Sequence, residues 1–253
     1  MAKIAKKNAE LILALDVNTL AEVRTLVDQL NSTVDIFKVG SQLFTACGPA
    51  VVRFIQARGK RVFLDLKYHD IPNTVAAAVY SAVSLSEAIE RTTPATKKIS
   101  AQQSQLFMLT VHTVGGVAML RAAVEAGKKA AQKFKTVQPL IVGVTVLTSE
   151  EKRDNIRALV LERAKMAHEA GCDGVVASVE EAAFLREEFG KDFIIVTPGI
   201  RPAGAAAQDQ KRIATPADAV KNGSNFLVVG RPILEAADPI KAAKEILEEI
   251  NEK

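Results

Sequence analysis

The sequence contains no tryptophan and only two tyrosines among its 253 residues. Proteins that bind nucleic acid usually carry a strongly basic face with interleaved aromatic side chains on which bases can stack. The net charge of +4 is only mildly basic, and Lys3, Lys6 and Lys7 supply part of it near the N-terminus. The composition therefore argues against a nucleic-acid partner, whereas a small positive excess suits an anionic small substrate.

Cysteine and long apolar runs are also scarce. Cys47 and Cys172 are the only cysteines, and they show no Cys-x-x-Cys spacing, so we expect free thiols and a reducing compartment. No apolar run reaches the ~20 residues of a membrane helix. Residues 11–15 are too few for the apolar part of a signal peptide. The sequence predicts a cytoplasmic protein without a membrane partner.

The apolar residues that are present form eight short strand-like runs, and each run is followed by helical periodicity. Eight alternating β and α units need roughly 250 residues, which this chain just supplies. We therefore expect the α/β class and a single (β/α)8 TIM barrel over residues 1–253, with a frayed N-terminus at 1–10. A doubly wound open sheet is the alternative. The runs are residues 11–15, 34–39, 62–66, 106–111, 140–147, 173–177, 193–196 and 225–229.

The third run leads into the stretch with the most chemistry, Asp65-Leu-Lys67-Tyr-His-Asp70-Ile-Pro-Asn-Thr74. Side chains alternate along a strand, so Asp65 and Lys67 should emerge on the same side where the strand ends. Asp70 follows three residues after Lys67. Two carboxylates beside the Lys67 ammonium would keep that ammonium charged and hold it in place. A solvated surface ion pair is the simpler interpretation of an isolated Asp-x-Lys, and such pairs contribute little.

Polar residues recur at the ends of most of the runs, which favours a functional site over an isolated surface ion pair. The carboxyl ends of all strands in a parallel barrel lie on one face, where active sites are found. Each residue alone could simply terminate a strand, but together they would line one mouth. These residues are Asp16, Lys38, Asp65, Lys67, His112, Thr148, Arg201 and Arg231.

The eighth run ends in a candidate phosphate site. Gly230 allows close approach of the backbone, and Arg231 offers a bidentate donor at the start of a helix. Arg201 and Gln210 could contribute from the seventh loop, since barrels commonly bind phosphate after strands seven and eight.

Motifs for other chemistries are missing. No Gly-x-Ser-x-Gly, Walker or His-Glu-x-x-His sequence occurs, and the three histidines show no ligand spacing. His69 with Asp65 and Asp70 could present ligands to Mg²⁺, but Lys67 would compete with the ion. We expect no metal.

These motifs resemble the orotidine 5′-phosphate decarboxylase family over nearly the whole chain. The Ile-Pro-Asn-Thr74 extension and the Asp209-Gln210-Lys-Arg loop make the resemblance specific, because Asp-x-Lys-x-x-Asp alone also occurs in related sugar-phosphate lyases. The other matching segments are Leu-Ala-Leu-Asp16, Phe-Lys38-Val-Gly, Thr-Val-His112, Val-Leu-Thr148-Ser, Thr-Pro-Gly-Ile-Arg201-Pro and Val-Gly230-Arg231-Pro-Ile.

The resemblance implies a homodimer that decarboxylates orotidine monophosphate to uridine monophosphate, the last step of de novo pyrimidine synthesis, without cofactor or metal. By resemblance, Lys67 is the proton donor, and Asp65, Asp70 and Lys38 form its charged network. Asp70 and Thr74 would reach the neighbouring subunit's site.

The resemblance also implies the residues that bind substrate. Ribose would be held by Asp16 and Lys38, the pyrimidine would lie near Thr148, and phosphate would be gripped by Arg201, Gln210, Gly230 and Arg231. Residues 92–105 are an insertion atypical of the family, expected on the face away from the site.

Two alternatives remain open. A related barrel lyase, such as hexulose-phosphate synthase or keto-gulonate-phosphate decarboxylase, would use Mg²⁺ and an enediolate. A phosphate- or nucleotide-binding barrel that has lost activity would bind without turnover, although the intact Asp65, Lys67 and Asp70 argue against it.

Overall fold

Eight parallel strands close into a barrel in chain order, and β8 completes the ring by pairing with β1. The arrangement comes from a computed structural model that describes residues 9–86, 105–147, 155–202 and 214–252. It confirms the (β/α)8 barrel over the open sheet. The strands are β1 (Glu10–Ala14), β2 (Ile36–Gly40), β3 (Arg61–Tyr68), β4 (Leu106–His112), β5 (Leu140–Val144), β6 (Gly174–Val176), β7 (Ile194–Thr197) and β8 (Phe226–Val229).

The helices begin where local chemistry favours a start. Thr19 and Glu22 form a capping box on the first helix, and Pro49, Pro72 and Pro239 each occupy a first turn, where a missing N–H costs little. The helices are α1 (Leu20–Leu30), α2 (Ser41–Cys47), α3 (Pro49–Ala57), α4 (Pro72–Ser84), α5 (Gly116–Phe134), α6 (Ile156–Glu169), α7 (Val179–Phe189), α8 (Pro216–Lys221), α9 (Arg231–Leu234) and α10 (Pro239–Asn251).

Two apolar clusters hold the barrel together. The larger one lies between the strands and the surrounding helices. The smaller one fills the barrel interior and includes Ala14, Ile36, Phe63 and Met108. Because side chains alternate along each strand, the residue two positions further on also faces the interior. Those next positions hold Asp16, Lys38, Asp65 and Thr110, so a polar layer lies directly above the apolar one.

Other features follow from burial. Burial and the neighbouring Asp173 raise the pKa of the Cys172 thiol to about 12, so this free cysteine stays protonated and inert.

None of the helices within the described ranges has the length and apolar character needed to cross a membrane. Glu10, the last residue of the predicted frayed N-terminus, is the first residue of β1. Residues 1–8 of that N-terminus and residues 92–104 of the predicted insertion lie outside the described residues.

Candidate active site

The polar layer is organised around Asp65, a buried carboxylate near the carboxyl end of β3. The Lys67 ammonium lies 2.9 Å from each Asp65 carboxylate oxygen. The Lys38 ammonium, from β2, lies 3.8 Å from Asp65 Oδ2 and 3.3 Å from Asp16 Oδ1. Four residues from three neighbouring strand ends therefore form one line of alternating charges, Asp16–Lys38–Asp65–Lys67.

The two lysines differ in exposure. The Lys38 side chain is 12% exposed, whereas that of Lys67 is 37% exposed. Lys38 is thus enclosed between two carboxylates. Lys67 has one carboxylate at its side and presents the rest of its ammonium to the barrel mouth, where it can act on a bound molecule.

The pairing of Asp65 with Lys67 depends on an irregular backbone. Leu64 pairs with Leu109 of β4, but Tyr68 pairs with Val111, so β3 advances four residues while β4 advances two. Lys67 lies in this bulge with φ of +51°, a left-handed conformation that non-glycine residues rarely adopt. The contact that simple alternation predicts is present, but a bulge produces it.

Thr110 has no assigned role in the sequence-based prediction, yet it contacts this pair. It is fully buried on β4. Its hydroxyl donates to Asp65 Oδ1 at 3.0 Å and accepts the backbone N–H of Lys67 at 2.8 Å. The feature of the sequence that could have identified Thr110 is its position two residues before His112, since both residues then face the same side of β4.

Asp70 and Thr74 are not brought to the charged line of their own chain. Asp70 is exposed, and its carboxylate accepts the N–H of Ile71 at 2.6 Å. Thr74 is exposed in the first turn of α4. Among the described residues Asp70 makes no ion pair with Lys67 or Lys38, so within one chain the predicted second carboxylate lies outside the network.

The predicted phosphate residues follow neighbouring strands. Gly230 lies after β8, and a Cβ added to it would come within 3.2 Å of Asp16 Oδ2, so its lack of a side chain leaves space beside the charged line. Arg231 begins α9 directly afterwards. Arg201 is buried after β7, and its N–H donates to Ala214 O at 3.0 Å.

The hydrogen bond between Arg201 and Ala214 brings together the two ends of the segment that carries Gln210. Gln210 itself and Thr148 lie outside the described residues, so their predicted contacts remain predictions.

His69 and His112 face each other at the mouth, with ring centroids 5.9 Å apart. Within the described ranges, no three His, Cys, Asp or Glu side chains are grouped so as to hold a metal ion. The Lys67 ammonium takes the place beside Asp65 that a cation ligated by this carboxylate would take. Burial raises the pKa of the phenol of Tyr68, the residue between Lys67 and His69 in the chain, further above physiological pH.

Comparison with known proteins identifies the family. A family model described as "Orotidine 5'-phosphate decarboxylase / HUMPS family" matches residues 9–246. The chain belongs to this family. Orotidine 5′-phosphate decarboxylase of Geotalea daltonii is 45% identical over 251 residues, covering 96% of each chain. The enzyme of the same name from Moorella thermoacetica is 46% identical over 251 residues, covering 95% of this chain and 92% of its own.

A solved structure agrees with the family assignment. The crystal structure of orotidine 5′-phosphate decarboxylase from Lactobacillus acidophilus superposes with a TM-score of 0.79 and 33% sequence identity, over 96% of this chain and all of that one. The family match also spans every predicted site residue, from Asp16 to Arg231.

Proposed function

We propose that the protein is a carboxy-lyase that converts orotidine 5′-monophosphate to uridine 5′-monophosphate, the last step of de novo pyrimidine synthesis, without cofactor or metal. The observation that carries the proposal is the Lys67 ammonium, held 2.9 Å from both oxygens of the buried Asp65. Curated relatives above 40% identity over nearly the whole chain bear the name of this activity, which supports it further.

Lys67 has the properties that the reaction needs. When the bond to the carboxylate breaks, its electron pair stays on ring carbon six, where no ring carbonyl is placed to delocalise it. An ammonium fixed beside that carbon stabilises the developing charge and then transfers a proton to it. Carbon dioxide leaves, and the neutral amine regains its proton from water.

Asp65 keeps this ammonium in one place. Its two oxygens both contact Lys67, while Lys38 approaches from the opposite side at 3.8 Å. A substrate carboxylate bound close to Asp65 would also be repelled by it, which would raise the energy of the ground state. Orientation of Lys67 is sufficient to explain why an ionised carboxylate belongs here.

The remaining residues bind the parts of the substrate that do not react. Such contacts supply energy for closing and orienting the site around the reacting carbon. Asp16 and Lys38 bind the ribose hydroxyls, and Thr148 lies beside the pyrimidine. The phosphate group is bound by Arg201, Gln210, Gly230 and Arg231.

The active form is a homodimer in which Asp70 and Thr74 complete the neighbouring site. Both residues are exposed, and Asp70 lies outside the charged line of its own chain. Ile71, next to Asp70 in the chain, is 65% exposed, and Val114, in the turn that follows β4, is 51% exposed. Exposed apolar side chains close to exposed functional groups are typical of a surface that a second subunit covers.

A direct assay tests the activity. We expect purified protein to remove the absorbance of orotidine monophosphate at an undiminished rate in the presence of excess chelator. The sugar-phosphate lyases in the same barrel group differ in needing Mg²⁺. No turnover by folded protein, with activity on a sugar phosphate that requires Mg²⁺, would favour that alternative. Tight binding of uridine monophosphate without turnover would indicate a barrel that has lost activity.

Phosphate recognition gives a second prediction. We expect Arg231→Ala to lower kcat/KM for orotidine monophosphate by about 10- to 100-fold, the loss of a charge-assisted hydrogen bond. Turnover of orotidine, which lacks the phosphate, should be unchanged by the substitution. Arg58→Ala is the matched control, because Arg58 pairs with Asp28 at the opposite end of the barrel. Equal losses on both substrates would contradict a phosphate contact.

A further inference from the structure

We propose that Thr110 is a positioning residue for decarboxylation, whose buried hydroxyl sets the geometry of Lys67 and Asp65 together. The inference rests on the proposed function, since it assigns Thr110 to the same reaction. It goes beyond the charged line itself, because Thr110 carries no charge and lies below the mouth, enclosed by the barrel.

The Thr110 hydroxyl satisfies two groups at once. A hydroxyl has one hydrogen to donate and lone pairs with which to accept. Here the hydrogen goes to Asp65 Oδ1 at 3.0 Å, and a lone pair accepts the Lys67 backbone N–H at 2.8 Å. The same carboxylate oxygen lies 2.9 Å from the Lys67 ammonium. One side chain therefore contacts both the backbone of Lys67 and the carboxylate that holds its ammonium.

The β3 bulge explains why a side chain is needed at this point. Thr110 lies between Leu109 and Val111, the two β4 residues whose partners are Leu64 and Tyr68. Regular pairing is interrupted opposite Thr110, and there the hydroxyl accepts the N–H of Lys67. This bond stabilises the left-handed backbone of Lys67, a conformation that is unfavourable for a residue with a Cβ.

Loss of the hydroxyl should therefore disturb Lys67 more than it disturbs the barrel. Thr110→Val keeps the shape of the side chain. It leaves the Lys67 N–H without its acceptor and removes the hydrogen bond that Asp65 Oδ1 accepts. Buried groups of this kind are costly without a partner, so the bulge should relax and the ammonium should shift. Thr110→Ser keeps the hydroxyl and loses only a methyl group.

The experiment separates positioning from stability. We expect Thr110→Val to lower kcat about 10- to 100-fold, the effect of a misplacement of about 1 Å. Affinity for uridine monophosphate should be unchanged, because the ribose and phosphate contacts lie on other strands. Thr110→Ser should retain most of the wild-type kcat.

Thr113→Val is the matched control. Thr113 is also fully buried, and its hydroxyl donates to the Val144 carbonyl at 2.7 Å. Its methyl group lies beside Gly143, where an added Cβ would come within 2.8 Å of that methyl group and within 3.1 Å of Ala167 Cβ in α6. The Thr113 methyl group is therefore on the helix side of the barrel wall. We expect this variant to lose thermal stability comparably to Thr110→Val while retaining kcat. Equal losses of kcat in the two variants would overturn the positioning role.

A crystal structure of Thr110→Val tests the geometry without turnover. We expect Lys67 to leave its left-handed conformation or its ammonium to separate from Asp65. Wild-type geometry at both places would overturn the inference, as would wild-type kcat in this variant. An inactive wild-type protein would instead overturn the proposed function, and with it the catalytic part of the inference.

Discussion

Lys67→Ala is expected to lower kcat for orotidine monophosphate by at least about 10⁴-fold, because in the proposed mechanism this one group both stabilises the developing carbanion and protonates it. No other ammonium among the described residues can replace it, since Lys38 is 12% exposed and lies between Asp16 and Asp65. Single-turnover measurements with excess enzyme would give the rate of the chemical step itself.

Affinity for uridine monophosphate separates chemistry from binding in this variant. We expect calorimetry to show that Lys67→Ala still binds the nucleotide, because the residues proposed to bind ribose and phosphate are unchanged. Lys60→Ala is the matched control. Lys60 immediately precedes β3, at the opposite end of the same strand, and its ammonium donates to the Asn31 carbonyl. Near-normal turnover by Lys67→Ala would refute the assigned role.

A mixed dimer of Lys67→Ala and Asp70→Ala subunits is expected to recover activity that neither variant has alone. If Asp70 completes the neighbouring site, one of the two sites in the mixed dimer combines an intact Lys67 with an intact Asp70. The other site lacks both. Mixed dimers isolated with two different affinity tags should therefore show about half of wild-type kcat per dimer.

Asp65 provides the control for the mixed dimer. Asp65 and Lys67 lie 2.9 Å apart in the same chain, so every site in a mixed dimer of Asp65→Ala and Lys67→Ala lacks one of them. This pair should stay inactive. If the Asp70 pair also stayed inactive although the mixed dimer formed, Asp70 would act in its own chain, and the shared site would be wrong.

Much of the fold can be predicted from the sequence because its signals are local. Apolar runs of strand length, helix caps such as Thr19 and first-turn prolines such as Pro72 depend on neighbours within a few residues. The common orientation of strand ends in a parallel barrel then places Asp16, Lys38 and Asp65 at one mouth. The structure brings these three together as the sequence predicts.

The details of the charged line depend on pairing between strands that are distant in the sequence. Thr110 is 43 residues from Lys67 and 45 from Asp65, and nothing in either segment specifies their register. Only the closed barrel shows that β3 bulges opposite Thr110 and that Lys67 becomes left-handed there. Only it shows that Asp70, five residues beyond Asp65, lies outside the line. Positions at strand ends are thus enough to predict that Asp16, Lys38, Asp65 and Lys67 share one mouth, whereas their distances and partners depend on the register between distant strands.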